Sequence, residues 1–173
     1  LSLTATGQLQ KNIIFKEGAP VMITSNHSKK KYKNNGIVNG ARSKIDCIQP
    51  SKKDPNVAEI IWVRFADDKV GQLLRKDSMS LLKDSKPNDP LSVPISKQKK
   101  QFSVQGNVKW MREQFPLTLC YAITAHKSQG QTLDEIVIDF SSKSSRINCG
   151  SFYTALSRVK TGANLYLKDF KSL

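Results

Sequence analysis

The sequence predicts an α/β fold in two parts, a parallel sheet in the C-terminal stretch and a small antiparallel barrel or curled sheet before it. Three observations predict this. After Pro116 the chain runs apolar segment, polar turn, apolar segment, helix face and apolar segment, the alternation of a parallel α/β sheet. Between Ala19 and Leu74 it consists of short β-rich runs set between turn residues. The 173 residues are 38% hydrophobic and 24% charged, the balance of a folded chain rather than a disordered one.

Taken in order, "APVMITSN" (residues 19–26) reads as a strand that stops at an Asn. The polar stretch "HSKKKYKNN" follows as a loop, and its lysines at 29, 30, 31 and 33 form either a solvated face or an electrostatic rail for a nucleic-acid backbone. Lys52, Lys53, Lys97, Lys99 and Lys100 would join that rail if the fold gathers them on one face. In "GIVNGARSKIDCIQ", Asn39-Gly40 is a tight-turn signal between apolar segments. "VAEIIWVRFADDKVGQLL" alternates with period two. Ile61, Val63 and Phe65 fall on one side, Trp62 and Arg64 on the other, and Asp67-Asp68 turns the chain into residues 70–74. Trp62 is read as a core or interface residue, with base stacking as the other option. Residues 86–94 hold Pro87, Pro90 and Pro94 and read as a loop. "KQKKQFSVQGNVKW" reads as one further strand with a basic approach.

"LTLCYAIT" is a continuous apolar run suited to a strand buried on both faces. "EIVIDF" is a second strand and "NLYL" a third. In "GSFYTALSRVK", Phe152, Leu156 and Val159 fall at i, i+4 and i+7 on one face of a short helix, with Gly162 just past its end. Ligands of parallel sheets bind beyond the carboxyl ends of the strands, and "AHKSQG" is expected at one such end. No internal repeat is present.

The charge is the loudest compositional feature: 28 Lys+Arg against 14 Asp+Glu give +14, an excess that favours nucleic acid or another anionic surface. No apolar run approaches the roughly 20 residues of a membrane span, so no membrane partner is expected. Cys47, Cys120 and Cys149 lack metal-ligand spacing and form an odd set, which argues against a zinc site or a disulfide framework and for an intracellular, reducing setting. The chain starts Leu-Ser-Leu and is expected to be a piece of something longer.

No G-x-x-x-x-G-K-[ST] phosphate loop is present, because no Gly is followed by Lys. Phosphoryl transfer also needs a cation on the developing γ-phosphate charge, and a second domain can supply it. Arg158 in "TALSRV" is the candidate, against the plainer reading of a solvent-exposed helical Arg. "DEIVIDF" superficially matches a metal-holding acidic strand ending at Asp139, a reading rejected because no phosphate loop precedes it. Tyr153 is read as a packing or interface residue.

"AITAHKSQGQTLDEIVID" followed by "GSFYTALSRVKTG" resembles the paired late motifs, V and VI, of superfamily 1 helicases of the Pif1/RecD type. "FKEGAPVMITSN" and "GIVNGARSKI" are similar to that family's approach to its second RecA-like domain and its SH3-like insert, with Ser43 standing where many relatives are expected to carry Gly. The resemblance covers nearly the whole chain. It implies a RecA-like parallel sheet portion formed by residues 1–18 and 116–173, carrying an SH3-like β-barrel insert over residues 19–115.

By the same resemblance Arg158 matches the motif VI Arg that reaches the γ-phosphate of ATP held by a first RecA-like domain. Gln129 and Gly130 match the positions beside that phosphate, and Thr124, His126, Lys127 and Ser128 match the part of motif V that faces single-stranded DNA. Gly130 suits close backbone approach, and Thr, His and Lys suit phosphate oxygens. His126 as a satisfied turn residue and Lys127 as a surface lysine are the plainer alternatives.

The resemblance therefore implies the C-terminal part of an ATP-dependent DNA helicase. ATP and Mg²⁺ would be held mainly by a first domain absent from this chain, so the chain alone should be inactive. Roles in DNA repair, recombination and telomere maintenance, and a nuclear or mitochondrial location in a eukaryote, are implied in the same way. A non-catalytic nucleic-acid-binding remnant and a protein-interaction fragment with incidental charge are the rival readings.

Overall fold

The computed structural model describes residues 11–83, 87–103, 109–141 and 149–170. The chain is mixed α/β and divides into two compact units, Leu1–Tyr121 and Ala122–Leu173.

In the first unit the strands are β1 (Pro20–Ile23), β2 (Arg42–Pro50), β3 (Ala58–Phe65), β4 (Val93–Ser96), β5 (Gln98–Ser103), β6 (Lys109–Gln114) and β7 (Leu117–Leu119), with short helices α1 (Lys30–Asn34) and α2 (Gln72–Asp77). Five strands form an antiparallel sheet in the order β4-β3-β2-β1-β7, while β5 and β6 make a separate hairpin. The period-two reading of β3 explains its packing. Ile61, Val63 and Phe65 point into the core with Val21, Ile23, Ile45, Val93 and Leu117. Trp62 lies on the opposite side and is 1% exposed, which closes it to base stacking in this fold.

A bulge between Ile45 and Cys47 leaves Asp46 out of register, and the displaced residue organises the Pro-containing loop. Its carboxylate accepts from the Asp89 N–H at 3.1 Å and the Ser92 hydroxyl at 2.9 Å, and its carbonyl accepts from the Asn88 amide at 2.9 Å. Arg64 then bridges Asp89 at 2.7 Å and Asp68 at 2.6 Å. The Leu91 backbone N–H and Arg64 together hold the Asp89 carboxyl below its usual range.

Several sequence expectations change here. The lysine-rich stretch is not a loop but helix α1, because Tyr32 is buried and its hydroxyl donates to Asp77 at 2.8 Å beside the 2.6 Å Lys31–Asp77 pair. Residues beyond Asp67-Asp68 form helix α2 rather than a strand. The Asp67 carboxylate accepts from the Lys69 N–H, and Gly71 at φ +73° turns the chain into the helix. Pro94 lies inside a strand, which the sheet tolerates because β4 is an edge. The basic segment after it is a two-stranded hairpin instead of one strand. Asn39-Gly40 does turn the chain: Ala41 N–H donates to Val38 O at 3.1 Å and Gly40 has φ +92°.

"LTLCYAIT" yields only β7, antiparallel to β1, so it is not a strand of a parallel sheet. Leu117 and Cys120 are buried whereas Leu119 and Tyr121 are exposed, so the apolar run has one wet side.

The second unit contains β8 (Ile136–Asp139), helix α3 (Cys149–Leu156) and β9 (Leu165–Lys168). Strands β8 and β9 pair in parallel, from Ile136 opposite Leu165 to Asp139 opposite Lys168. Phe140 packs edge-on against Phe152 at 5.7 Å and Phe170 at 5.2 Å, joining the helix to the end of the strand pair. Asp139 is occupied structurally: hydrogen bonds from Ser141, then the Lys168 ammonium at 2.9 Å, lower its carboxyl to about 2.

Candidate functional site

The bend between β7 and β8 is built from its own backbone. Residues Ala125–Ser128 form a 3₁₀ turn started by Thr124, whose carbonyl accepts from the Lys127 N–H at 2.9 Å and the Ser128 N–H at 3.2 Å. The Ser128 hydroxyl is buried and donates to Ala125 O at 2.7 Å, while the Gln131 amide donates to Lys127 O at 2.9 Å. Gly130 sits at φ +74°, a conformation that Gly adopts without strain, and an added Cβ would meet nothing within 4 Å. Thr124, His126, Lys127, Gln129 and Gly130 are therefore held on the exposed side of a self-bonded bend, and Ser128 is turned inward.

Arg158 follows helix α3 and is half-buried. Its Nε–H donates to Thr154 O at 3.1 Å, Nη1 to Gln131 O at 3.3 Å and Nη2 to the Ser157 hydroxyl at 2.9 Å. One guanidinium thus ties the C-terminal end of α3 to the residue after Gly130. The backbone repeats the tie, since the Leu133 N–H donates to Arg158 O at 2.8 Å in a parallel bridge between Leu133 and Val159. Lys160 closes the junction on Asp134 at 2.6 Å and holds that carboxyl below its usual range.

The electrostatics follow from which acceptors are used. All three partners of Arg158 are neutral oxygens, and among the described residues no carboxylate pairs with it. Asp134 and Asp139 are engaged by lysines. Among the described residues the guanidinium is thus held in place by groups that do not cancel its charge, and three of its five N–H groups are in use there. Such an arrangement suits an anion with several oxygens. Among the described residues no cluster of His, Cys, Asp and Glu could hold a metal ion.

The two sequence segments singled out for chemistry therefore meet within one unit. The strand before the bend, however, is antiparallel β7 of the other unit, so the bend does not continue the carboxyl end of a parallel strand. Sequence reasoning passed over Gln131, which bonds to both Arg158 and Lys127, and the Asp134–Lys160 pair. The only signal for these was opposite charge and polarity at matching offsets after each motif.

No protein-family model matches the chain. It is 30% identical over 169 residues to the ATP-dependent DNA helicase PIF1 of Danio rerio, an alignment that covers 98% of this chain and 21% of the relative. The chain belongs to the Pif1 type of superfamily 1 helicases, in their C-terminal region. The ATP-dependent DNA helicase Pif1 of Bdellovibrio bacteriovorus is 46% identical over 72 residues, covering 40% of this chain and 16% of that protein. The crystal structure of the Bacteroides Pif1 helicase in complex with ADP-AlF3 and ssDNA superposes with a TM-score of 0.56 at 25% identity, covering 92% of this chain and 30% of that one. The chain thus spans about a fifth of the length of these two Pif1 relatives, from Danio rerio and Bdellovibrio bacteriovorus.

Proposed function

We propose that the chain is the C-terminal part of an ATP-dependent DNA helicase, in which Arg158 and the 124–130 bend join ATP hydrolysis to movement on single-stranded DNA. The observation that carries this reading is the Arg158 guanidinium bound to the Gln131 carbonyl, which makes the cation and the bend one mechanical element. The Pif1 relatives, one of them held in a structure with ADP-AlF3 and ssDNA, support it.

In this reading a RecA-like domain carries an SH3-like insert. ATP and Mg²⁺ are held mainly by a first RecA-like domain, and bound ATP supplies the scissile γ-phosphate with the metal's charge neutralisation. This chain's residues do the rest. Arg158 presents its positive charge and its remaining N–H donors to the γ-phosphate oxygens. Gln129 and the backbone at Gly130 lie beside that phosphate. Thr124, His126 and Lys127 offer donors to DNA phosphates, and Ser128, turned inward on Ala125, sets the shape of the bend that aims them. Any shift of Arg158 pulls on Gln131, and through it on the exposed side of the bend. Service in DNA repair, recombination or telomere maintenance, in a nucleus or mitochondrion, follows the same reading.

Single-stranded-DNA-stimulated ATP hydrolysis by the full-length protein tests the proposal. Turnover that rises on adding an oligonucleotide, with none from the 173-residue chain by itself, is the expected pair of results. Tight DNA binding without any stimulated hydrolysis would favour a non-catalytic binding module instead.

A further inference from the structure

The β5–β6 hairpin places aromatic and cationic side chains on one face. Its register sets Phe102 opposite Trp110 and Lys100 opposite Arg112, and alternation along each strand puts both pairs on the same side. The Arg112 guanidinium lies over the Phe102 ring, 5.5 Å from its centroid, which confirms the shared face. Trp110 is 55% exposed and Met111, on the reverse face, is 68% exposed. A two-stranded ribbon that leaves a Trp half in water has gained little burial from its own fold, and an apolar patch rimmed by charge marks a contact surface.

The base of the hairpin is fixed. The Ser25 hydroxyl donates to Gln98 Oε1 at 2.9 Å, and Lys97 sits over the Phe115 ring, whose side chain belongs to the core.

We infer that this hairpin is a binding platform for an unpaired nucleic-acid strand, with Trp110 and Phe102 stacking on bases while Lys100 and Arg112 engage phosphates. Charge complementarity selects the occupant. The hairpin carries Lys99, Lys100, Lys109 and Arg112 against Glu113, and Glu113 lies 3.9 Å from Lys99. The whole chain stands at +14. A polyanion answers the charge, and a polyanion with exposed π faces answers the aromatics as well. Paired bases hide those faces, so the strand is single. The inference deepens the DNA-binding half of the proposed function and rests on it for the kind of ligand.

The test uses the 173-residue chain and an oligothymidylate of about 12 nucleotides, within the usual site size of such surfaces. The chain has two tryptophans, and Trp62 is buried, so quenching of intrinsic fluorescence reports on Trp110. Saturable quenching at low salt is expected, and in Trp110→Phe that signal should vanish. By anisotropy of a labelled strand, Trp110→Ala should bind roughly 5- to 100-fold more weakly with an unchanged salt slope. Arg112→Gln should reduce the slope by about 1. Failure to bind the strand, wild-type affinity in Trp110→Ala, or equal quenching by a blunt duplex would each overturn the inference. None of these readouts involves ATP turnover, so the hairpin can fail while the hydrolysis reading stands, and the reverse.

Discussion

Replacing Arg158 with Ala in the full-length protein is expected to lower DNA-stimulated ATP turnover by roughly 10³- to 10⁵-fold, the range of a trans-supplied arginine in phosphoryl transfer. The size of the effect follows from the group's surroundings. Among the described residues the half-buried guanidinium is bonded to the neutral oxygens of Thr154, Gln131 and Ser157 and to no carboxylate, so none of these partners cancels its charge where a transferring phosphoryl group would need it. Arg158→Lys should recover little, because an ammonium cannot span Thr154, Gln131 and a phosphate at once. DNA affinity without nucleotide should stay near wild type, since the exposed residues of the bend are untouched. A variant that keeps most of its stimulated turnover would remove Arg158 from the mechanism.

The second large effect is on stability. Gly71→Ala is expected to destabilise the protein by about 2–5 kcal/mol. Part of this, about 1–2 kcal/mol, is the cost of placing an L side chain in the left-handed region. The rest is overlap, about 1–3 kcal/mol in a packed core, because the new Cβ would stand 2.6 Å from a methyl carbon of the fully buried Val93. Gly130→Ala is the internal control: its φ of +74° is almost the same as Gly71's +73°, but nothing lies within 4 Å, so only the backbone cost applies. Denaturant titrations of the two variants separate the contributions, and Val93→Ala combined with Gly71→Ala should cost less than the sum of the single changes. Equal losses for Gly71→Ala and Gly130→Ala would show that Val93 moves aside freely.

The legible parts of the sequence were those where one local rule acts alone. β3 was readable because alternation at Ile61, Val63 and Phe65 reports one buried face, and the junction around Arg158 because both of its halves carry dense motifs. The misreadings come from partners distant in sequence. Nothing near Lys30 announces that Tyr32 will be buried and bonded to Asp77, so a basic run read as a loop became a helix. Pro94 argued for a loop until the sheet order made its strand an edge. "LTLCYAIT" looked evenly apolar, yet pairing with β1 left Leu119 and Tyr121 in water. In the candidate site the residues were visible, but the bond between Arg158 and Gln131, across 27 positions, was not.

The central claim is that Arg158 and the 124–130 bend act as one lever between nucleotide and DNA. The affinity of the full-length protein for a single-stranded oligonucleotide, measured with and without a non-hydrolysable ATP analogue, tests it most directly, because coupling between two ligands is reciprocal in binding free energy. The analogue is expected to change DNA affinity in the wild type and to leave it unchanged in Arg158→Ala, with both proteins binding alike when nucleotide is absent. An equal nucleotide-dependent change in the two proteins would contradict the claim.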